Sequence, residues 1–579
     1  MPKNEHIASI IARTKKHRAD ILIFFLLISM TLAVYLQIIG FDLVDIDDFA
    51  IAGDLHNRLN AGRHILLTFY RIPVNTLYWA PVSVFLYIMD IVLWGERANL
   101  YHCSNLLLHI LSSLLIYVIF KKTSGQIWES ALAAGLFAVH PVNANSVVVW
   151  GNRYTLVEAL FALLTLFLYV NYAQKPHIKR YLLVLFSFTA TLLSKSTAVY
   201  LPFLMLLIDF WPLKRFDPGG GRKYKQIFLH LVREKIPFFL IALFWLFFAV
   251  YFLRTGTYVG PYGLRYTNLL NLPYNAPVIY VGYLVKLAFP THLPVPHLNF
   301  PMKAPLWMAC CSTILILAIT VFALRRFKSR PYLFFGWAWY LITVSPYALT
   351  LAFYNINIPT RYMYIPGIGC FVLATWAASG ILWGYGASKY LKVFLSSVFL
   401  LIFMAVSFVQ SKKMADAHSY FLHTVKSRIR YGEYILAVDG RNAMAHHSVG
   451  TAYLRLGDRG KAAGHFRQAL EIAPDDFASL NNLAGILADQ GRLDEAIEYY
   501  KAALTVNPLL YQTHNSLAVV LSQKGEIDRA IAHLQKALEI KPDYQTAENN
   551  LKSLLGIKAQ ASHNRNSPTV PQENRGDRR

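Results

Sequence analysis

Two adjacent carboxylates, Asp47 and Asp48, stand in the segment FDLVDIDDFAIA, directly after the first long apolar run of the chain. Ionisable side chains within or beside apolar segments are costly to accommodate, so each is a candidate for a functional role. A carboxylate in such a position can accept a proton as a general base. The alternative is a pair of solvated loop acids that cap the following helix, and sequence position alone leaves both interpretations open.

Two polar residues mark the turn in LFAVHPVNANSVVVWGNR. His140 precedes Pro141, and Arg153 opens the next apolar run, where its charge can meet an anionic lipid headgroup. The alternative for His140 is an interfacial histidine that is hydrogen-bonded to the backbone.

Lys195 and Arg361 extend this pattern at the ends of two later apolar runs. A lysine between apolar helices can hold a phosphate as a point charge, and an arginine can bind one through its bidentate fork. The alternative for Arg361 is interfacial anchoring beside Tyr362 and Tyr364, since aromatic residues are enriched at membrane interfaces. Together with Arg153, these cations opposite an acidic pair suit a lipid-phosphate substrate. Asp209, by contrast, is expected to be structural and to pair with Lys214 or Arg215.

The elements that must position these residues are apolar helices. The chain is 55% hydrophobic and only 15% charged, against about 25% charged in a soluble domain. A helix needs about 20 apolar residues to cross a bilayer. Eleven segments are candidates, two of them short, and the sequence leaves open whether the fifth and sixth are separated by a break at Ser194 and Lys195. Residues 275–290 are left as a re-entrant or interfacial piece. The candidates are 21–40, 101–120, 127–142, 153–172, 181–195, 197–211, 236–253, 306–324, 331–350, 362–384 and 391–409.

The net charge of +24 is concentrated in short Lys and Arg clusters beside apolar runs. This distribution follows the positive-inside rule and argues against nucleic-acid binding. It places the N-terminus, residues 1–20, in the cytoplasm, and an odd number of spans places the C-terminal domain outside together with the loops at 41–100, 143–152, 254–305 and 351–361. The four cysteines have no metal-ligand spacing, so no metal site is assigned.

A repeat of 34 residues organises the C-terminal part of the chain. Gly457, Gly491 and Gly525 recur at this interval, and the same holds for three further sets: Pro474, Pro508 and Pro542; Ala462, Ala496 and Ala530; Ala469, Ala503 and Ala537. This register resembles the tetratricopeptide repeat (TPR). Stacked repeats of this kind usually form a groove for an extended peptide. The predicted domains are a membrane region 21–410, a linker or degenerate repeat 411–442, a TPR domain with capping helix 443–555, and a disordered basic tail 556–579.

The motifs of the membrane region also resemble a known family. The acidic pair, the HP turn with Arg153, SK…LP…LLIDFWPL, and SRPYLFFGWAWY followed by RYMYIPGIG are similar, in this order, to bacterial TPR-containing membrane proteins. Those proteins are related to the transmembrane-and-TPR O-mannosyltransferases. The resemblance implies an all-α membrane bundle of the glycosyltransferase C (GT-C) type plus a TPR α-solenoid. It also implies a polyprenyl-phosphate-linked sugar donor, Asp47 as catalytic base supported by Asp48, and Lys195 and Arg361 near the phosphate.

Three positions depart from that family pattern. Asn145 and Thr360 stand where relatives commonly carry acids, and Ser196 stands where Pro or Glu is usual. Such losses imply altered donor choice, an absence of metal dependence, or inactivity, so a divalent metal remains an open question.

The leading hypothesis is an inverting glycosyltransferase of the bacterial inner membrane. It would move a sugar from the lipid-linked donor to Ser or Thr of an exported protein that is held in the TPR groove, with Arg153 and His140 shaping the pocket. The alternative is a membrane-anchored TPR scaffold with an inactive transferase half. A transporter of lipid-linked sugars is less favoured, because no inverted repeat is visible.

Overall fold

The computed structural model describes residues 2–41, 80–95, 97–216, 224–254, 271–290, 304–354, 359–384, 386, 388–415, 425, 429, 432–433, 436, 440–542 and 544–566. Asp47 and Asp48, and most of the predicted linker 411–442, lie outside these residues. The described part of the chain is 87% helical and contains no strand, which confirms the all-α prediction. The chain divides into two compact units, Met1–Thr424 and Val425–Arg579.

Fourteen α-helices are described in the first unit. They are α1 Pro2–Tyr35, α2 Pro81–Trp94, α3 Tyr101–Ser124, α4 Ile127–Val139, α5 Ala144–Val148, α6 Arg153–Gln174, α7 Ile178–Ser194, α8 Leu201–Phe210, α9 Tyr224–Arg254, α10 Leu272–Ala288, α11 Leu306–Arg325, α12 Pro331–Tyr354, α13 Pro366–Gly384 and α14 Lys389–Ala415. Short 3-10 helices connect several of them, and two of these, Ser196–Tyr200 and Thr360–Met363, belong to the site described below.

Each of the eleven predicted spans coincides with helical residues. By length and composition, five helical segments of the described chain can cross a membrane, or six if the pair Ile127–Val139 and Pro141–Val148, bent by 47°, forms one span. The chain is therefore a membrane protein. Three helices lie where the sequence predicts loops or leaves the segment open: α2 within the loop 41–100, α5 within the loop 143–152, and α10 at 275–290.

Helices α12 and α13 cross at a pair of glycines. A Cβ atom at Gly336 would lie 2.5 Å from the carbonyl oxygen of Gly369, and one at Gly369 would lie 2.7 Å from the carbonyl oxygen of Gly336. Small residues at membrane helix interfaces allow such close backbone approach. This crossing fixes α12 against the 3-10 helix Thr360–Met363, which leads into α13.

From residue 440 onward, the described residues of the second unit form three helix pairs and a terminal helix. These are α15 Ala443–Arg455, α16 Arg459–Ile472, α17 Phe477–Asp489, α18 Leu493–Val506, α19 Tyr511–Gln523, α20 Ile527–Ile540 and α21 Gln545–Asn566. The terminal helix continues past the predicted end at 555, so residues 556–566 are helical rather than part of a disordered tail.

The repeat register has a direct structural reason. Gly457, Gly491 and Gly525 adopt φ of +82°, +77° and +80° in the turn within each helix pair, a conformation that favours glycine. The repeated alanines are fully buried where the helices of a pair meet; they are Ala462, Ala469, Ala496, Ala503, Ala530 and Ala537. The predicted TPR units are confirmed.

Candidate functional site

Lys195 lies in a break between α7 and the 3-10 helix Ser196–Tyr200. Its backbone is extended, with φ of −165° and ψ of 126°, and its side chain is buried. The Lys195 Nζ atom lies 3.2 Å from the Glu158 carboxylate and donates hydrogen bonds to Thr155 Oγ1 at 3.2 Å and to the Tyr347 hydroxyl at 3.3 Å. Ser83 of α2 donates to the carbonyl of the residue that precedes the break, at 2.9 Å, so the unexpected helix α2 supports this site.

Glu158 holds the centre of this arrangement. It is fully buried on α6 and accepts hydrogen bonds from Thr197 Oγ1 at 2.9 Å, Tyr200 OH at 3.1 Å and Tyr347 OH at 3.0 Å. A buried carboxylate with one ammonium and three hydroxyl donors is well compensated for its lost hydration. Sequence reasoning missed Glu158, although an acid one helical turn after Thr155 in an apolar run is a detectable signal.

Arg361 reaches the same place from a different part of the chain. Its neighbour Tyr362 stacks on Tyr347, with ring centroids 4.5 Å apart and planes inclined by 12°. Lys195 Nζ lies 5.1 Å from the Tyr362 centroid, and Arg361 Cζ also lies 5.1 Å from that centroid. The structure thus brings Lys195 and Arg361 to one aromatic ring.

Both cations are shielded from solvent, though to different degrees. Lys195 is buried and pairs with Glu158, and Arg361 is half-buried beside an aromatic pair. Glu158, Lys195, Tyr347, Arg361 and Tyr362 are hereafter called the Lys195–Arg361 cluster. A guanidinium in such a setting can bind a phosphate oxygen through charge-assisted hydrogen bonds.

Arg153 occupies a separate cluster. It is fully buried, forms an ion pair with Asp90 of α2, and donates to Asn105 Oδ1 at 3.0 Å and to the Tyr101 carbonyl at 3.0 Å. Since its charge is already paired inside the protein, the side chain ties α2 and α3 to α6 and does not face a headgroup as the sequence suggested. Asp90, its partner, was not identified from the sequence.

His140 is also buried and bonded locally. Its Nδ1 atom accepts the backbone N–H of Val142 at 3.1 Å, and its ring packs against Phe371 and Phe403 with centroids 5.1 Å and 4.5 Å away. This placement matches the backbone-bonded alternative that the sequence left open. His140 fixes the turn between α4 and α5.

A second buried ionic cluster lies at the other end of α6. Asp209 pairs with Arg215 at 3.0 Å and with Lys235, and it accepts a hydrogen bond from Tyr169 OH at 2.6 Å. The predicted pairing of Asp209 with Arg215 is confirmed. Tyr169 follows Glu158 by three helical turns, which places the two clusters roughly 16 Å apart along the axis.

Comparisons with known proteins find similarity in parts of both units. Residues 81–252 match the family described as dolichyl-phosphate-mannose-protein mannosyltransferase, a segment that contains Glu158 and Lys195. Residues 443–476 and 475–543 match tetratricopeptide repeat families. No curated protein sequence matches the chain.

Three solved structures with similarity to the chain are TPR proteins. The first TPR domain of Spaghetti (RPAP3), bound to an HSP90 peptide, is 16% identical, covers 21% of this chain and 96% of its own, and has a TM-score of 0.20. The Sgt2 TPR domain from Aspergillus fumigatus is 20% identical over 23% of this chain and 90% of its own, with a TM-score of 0.22. YrrB, a TPR protein, is 22% identical over 28% and 87% respectively, with a TM-score of 0.20.

The family matches agree with the helical membrane unit and with the 34-residue register. The chain is a membrane protein whose residues 81–252 are similar to a dolichyl-phosphate-mannose-protein mannosyltransferase domain, and it carries C-terminal TPR repeats.

Proposed function

We propose that this protein transfers a sugar from a polyprenyl-phosphate-linked donor to a Ser or Thr hydroxyl of a polypeptide on the extracytoplasmic side of the membrane. The observation that carries the proposal is the convergence of Lys195 and Arg361 on the Tyr362 ring, in a unit whose residues 81–252 match a mannosyltransferase family. Two cations at one aromatic pair provide a place for the phosphate of the donor.

The phosphate is bound chiefly by Arg361. A donor phosphodiester carries one negative charge, which a guanidinium binds through charge-assisted hydrogen bonds. Lys195 remains tied to Glu158, so its ammonium is held in a fixed orientation instead of moving freely. As the sugar leaves, the phosphate gains a second negative charge, and preorganised cations stabilise that developing charge most strongly.

Asp47 acts as the base, with Asp48 in support. The hydroxyl oxygen of the acceptor attacks the anomeric carbon, its proton passes to the Asp47 carboxylate, and the bond from the anomeric carbon to the phosphate oxygen breaks. The polyprenyl phosphate leaves with the electron pair of that bond. A single displacement of this kind inverts the configuration at the anomeric carbon.

The remaining site residues support this chemistry from within the protein. Arg153, paired with Asp90, holds α6 and thereby Glu158, and His140 fixes the turn between α4 and α5. In this proposal the N-terminus is cytoplasmic in a bacterial inner membrane, and the repeats lie outside, where their groove presents the acceptor polypeptide.

The test is transfer of mannose by the purified full chain from dolichyl-phosphate mannose to a peptide rich in Ser and Thr. Removal of a general base costs on the order of 10² to 10⁴ in rate, so Asp47→Asn should lose at least about a hundredfold. Asp42→Asn, in the same acidic segment, is the matched control and should retain activity. Equal transfer by wild type and Asp47→Asn would refute the role of the base.

The scaffold alternative gives a different result in the same assay. A scaffold with an inactive transferase half transfers no sugar in the wild-type form and hydrolyses no donor. The departures at Asn145 and Thr360 motivate it. In the structure, Asn145 accepts a hydrogen bond from Asn152 at 2.9 Å, and Thr360 is buried.

A further inference from the structure

A buried tyrosine hydroxyl on α10, a helix that contacts the 3-10 helix carrying Arg361, has no hydrogen-bond partner. Tyr283 of α10 is fully buried, and its OH is among the few buried side-chain polar atoms of the described residues that lack one. Burying a hydroxyl without a partner costs free energy of folding. Such a group in a natural protein calls for an explanation, and one explanation is a ligand that completes the hydrogen bond.

The helices around Tyr283 indicate where such a ligand would lie. Helix α10 packs against α12 and against the 3-10 helix Thr360–Met363. One turn before Tyr283, Tyr280 donates to the Leu341 carbonyl at 3.2 Å, and Tyr340 donates to the Tyr280 carbonyl at 2.5 Å. These bonds fix α10 on α12. Tyr283 thus lies on the helix that contacts the 3-10 helix Thr360–Met363, which carries Arg361 and Tyr362.

We infer that the Tyr283 hydroxyl donates a hydrogen bond to a phosphate oxygen of the lipid-linked donor, beside the Arg361 guanidinium. This inference deepens the proposed function and rests on it. The planar fork of Arg361 engages oxygens in one plane, and a phosphate has further acceptor oxygens outside that plane. A neutral hydroxyl supplies a donor for one of them without adding charge to the cluster, and hydrogen bonds to a charged acceptor are the stronger kind.

The experiment measures binding of dolichyl phosphate to the full chain in nanodiscs, for wild type and Tyr283→Phe. Loss of one hydrogen bond to a charged group should weaken binding about tenfold. The thermal midpoint of the free protein should stay the same or rise, because the substitution removes a buried hydroxyl that has no partner. A hydroxyl with a purely structural role would give the opposite pair of results: lower stability and unchanged affinity.

Tyr35→Phe is the matched control. Tyr35 is equally buried but lies elsewhere in the unit, with its ring edge-on to His109 at 5.5 Å. Removal of the Tyr35 hydroxyl should leave the affinity for dolichyl phosphate unchanged. Equal affinity of wild type and Tyr283→Phe would overturn the inference and leave the proposed function intact, whereas no binding of dolichyl phosphate by the wild type would overturn the proposed function itself.

Two competitors identify the source of the phosphate. Inorganic phosphate and phosphatidylglycerol carry the same acceptor oxygens without the polyprenyl chain. Neither should displace dolichyl phosphate at equal concentration. Displacement by inorganic phosphate would overturn the assignment to a lipid ligand, and displacement by phosphatidylglycerol would overturn the assignment to a polyprenyl one.

Discussion

Glu158 and Lys195 depend on each other at the scale of single residues. Each is buried, and each supplies the charge that compensates the other. Removing one partner of a buried ion pair leaves the other charge uncompensated, at a cost of about 3–5 kcal/mol, whereas replacing both by apolar or neutral groups is often nearly neutral. The ion pair therefore holds the Lys195 ammonium in place and contributes little net stability.

We accordingly expect Glu158→Gln to lower the apparent thermal midpoint of the full chain clearly, and the double variant Lys195→Met/Glu158→Gln to recover most of the loss. Thermal unfolding in one detergent, followed by tryptophan fluorescence, checks this. Glu129→Gln is the control, since the Glu129 carboxylate is buried and accepts a hydrogen bond from Ser379 at 2.6 Å. If the double variant were less stable than either single variant, the two residues would not form the compensating pair described here.

Two histidine pairs form a second set of coupled residues, in the repeats. The Nδ1 atoms of His446 and His465 lie 3.1 Å apart, and those of His514 and His533 lie 3.0 Å apart. The pairs occupy equivalent positions in the first and third repeats, 68 residues apart. An Nδ1–Nδ1 hydrogen bond requires one unprotonated nitrogen, so protonation of both rings abolishes it.

Burial lowers the pKa of all four imidazoles below the ordinary value, and the neighbouring histidine lowers it further for His465 and His533. Near the first pair, the acidic groups Glu433 and Glu471 raise the histidine pKa. Near the second pair, the basic groups Lys501, Arg529 and Lys536 lower it. As the pH falls, the histidines of the unfolded repeats bind protons before those of the folded repeats do. The contribution of these histidines to the folding stability is therefore present above the unfolded pKa of about 6.5 and is lost as the pH falls below it.

The repeats should therefore lose stability between pH 7 and pH 5. Hydrogen exchange of α15, α16, α19 and α20 in the full chain, corrected for the intrinsic effect of pH, measures this. The middle repeat has Leu480 and Tyr499 at the equivalent positions, which provides the control: a chain with His446→Leu, His465→Tyr, His514→Leu and His533→Tyr should show a flatter pH profile. An equal loss of protection in this chain would assign the acid sensitivity to other groups.

At the scale of helices, the crossing of α12 and α13 determines where Arg361 lies. A methyl group at Gly336 would overlap the Gly369 carbonyl and the Leu373 side chain, so the helices must separate to accommodate it. Gly336→Ala should destabilise the membrane unit by roughly 1–3 kcal/mol, in the range of overpacked cores, and lower transferase activity because Tyr347 and Tyr362 no longer stack. Thermal unfolding and the mannose-transfer assay measure the two effects.

Gly135 of α4 offers the matched control for this prediction. A Cβ atom there would lie 3.4 Å from the methyl groups of Leu400, an ordinary contact distance. Gly135→Ala should keep both stability and activity. If Gly336→Ala behaved in the same way, the close approach of α12 and α13 would not be what positions the site.

The helices themselves were largely predictable, and the reason is physical. A run of apolar residues long enough to cross a bilayer can satisfy its backbone only as a helix or within a closed barrel, and the 34-residue register specifies each turn through glycine. Helix α2 was missed because its 14 residues are fewer than a perpendicular span requires. The sequence left open whether the chain breaks at Lys195, and the structure shows an extended backbone there.

The pairing of side chains was much less predictable. An acid such as Glu158 or Asp90 in an apolar run signals that a partner exists, but neither charge nor spacing specifies which distant cation supplies it. Arg153 illustrates the consequence: its position suggested a headgroup contact, and tertiary packing gave it Asp90 instead. The convergence of Lys195 and Arg361 likewise depends on the helix crossing, which pairs two glycines far apart in sequence.

At the scale of the whole molecule, the proposed donor site and the repeats belong to different units, since the Lys195–Arg361 cluster lies within Met1–Thr424 and the helix pairs lie within Val425–Arg579. A chain that ends before residue 443 keeps every described residue of the cluster and loses the TPR groove. We expect it to retain binding of dolichyl phosphate and slow hydrolysis of dolichyl-phosphate mannose, because water can replace the acceptor hydroxyl.

Transfer to a long polypeptide should fall in the truncated chain through a higher KM, with less effect on a short Ser/Thr peptide, since a groove of stacked repeats contributes contacts along an extended acceptor. Comparing kcat and KM for the long and the short acceptor measures this directly. A chain that ends at residue 566 is the control, because it removes only the segment after α21. Loss of an acceptor groove alone leaves the attack of water on the donor unaffected. If truncation before residue 443 lowered donor hydrolysis as much as transfer to the long acceptor, the repeats would therefore stabilise the transferase unit rather than select its acceptor.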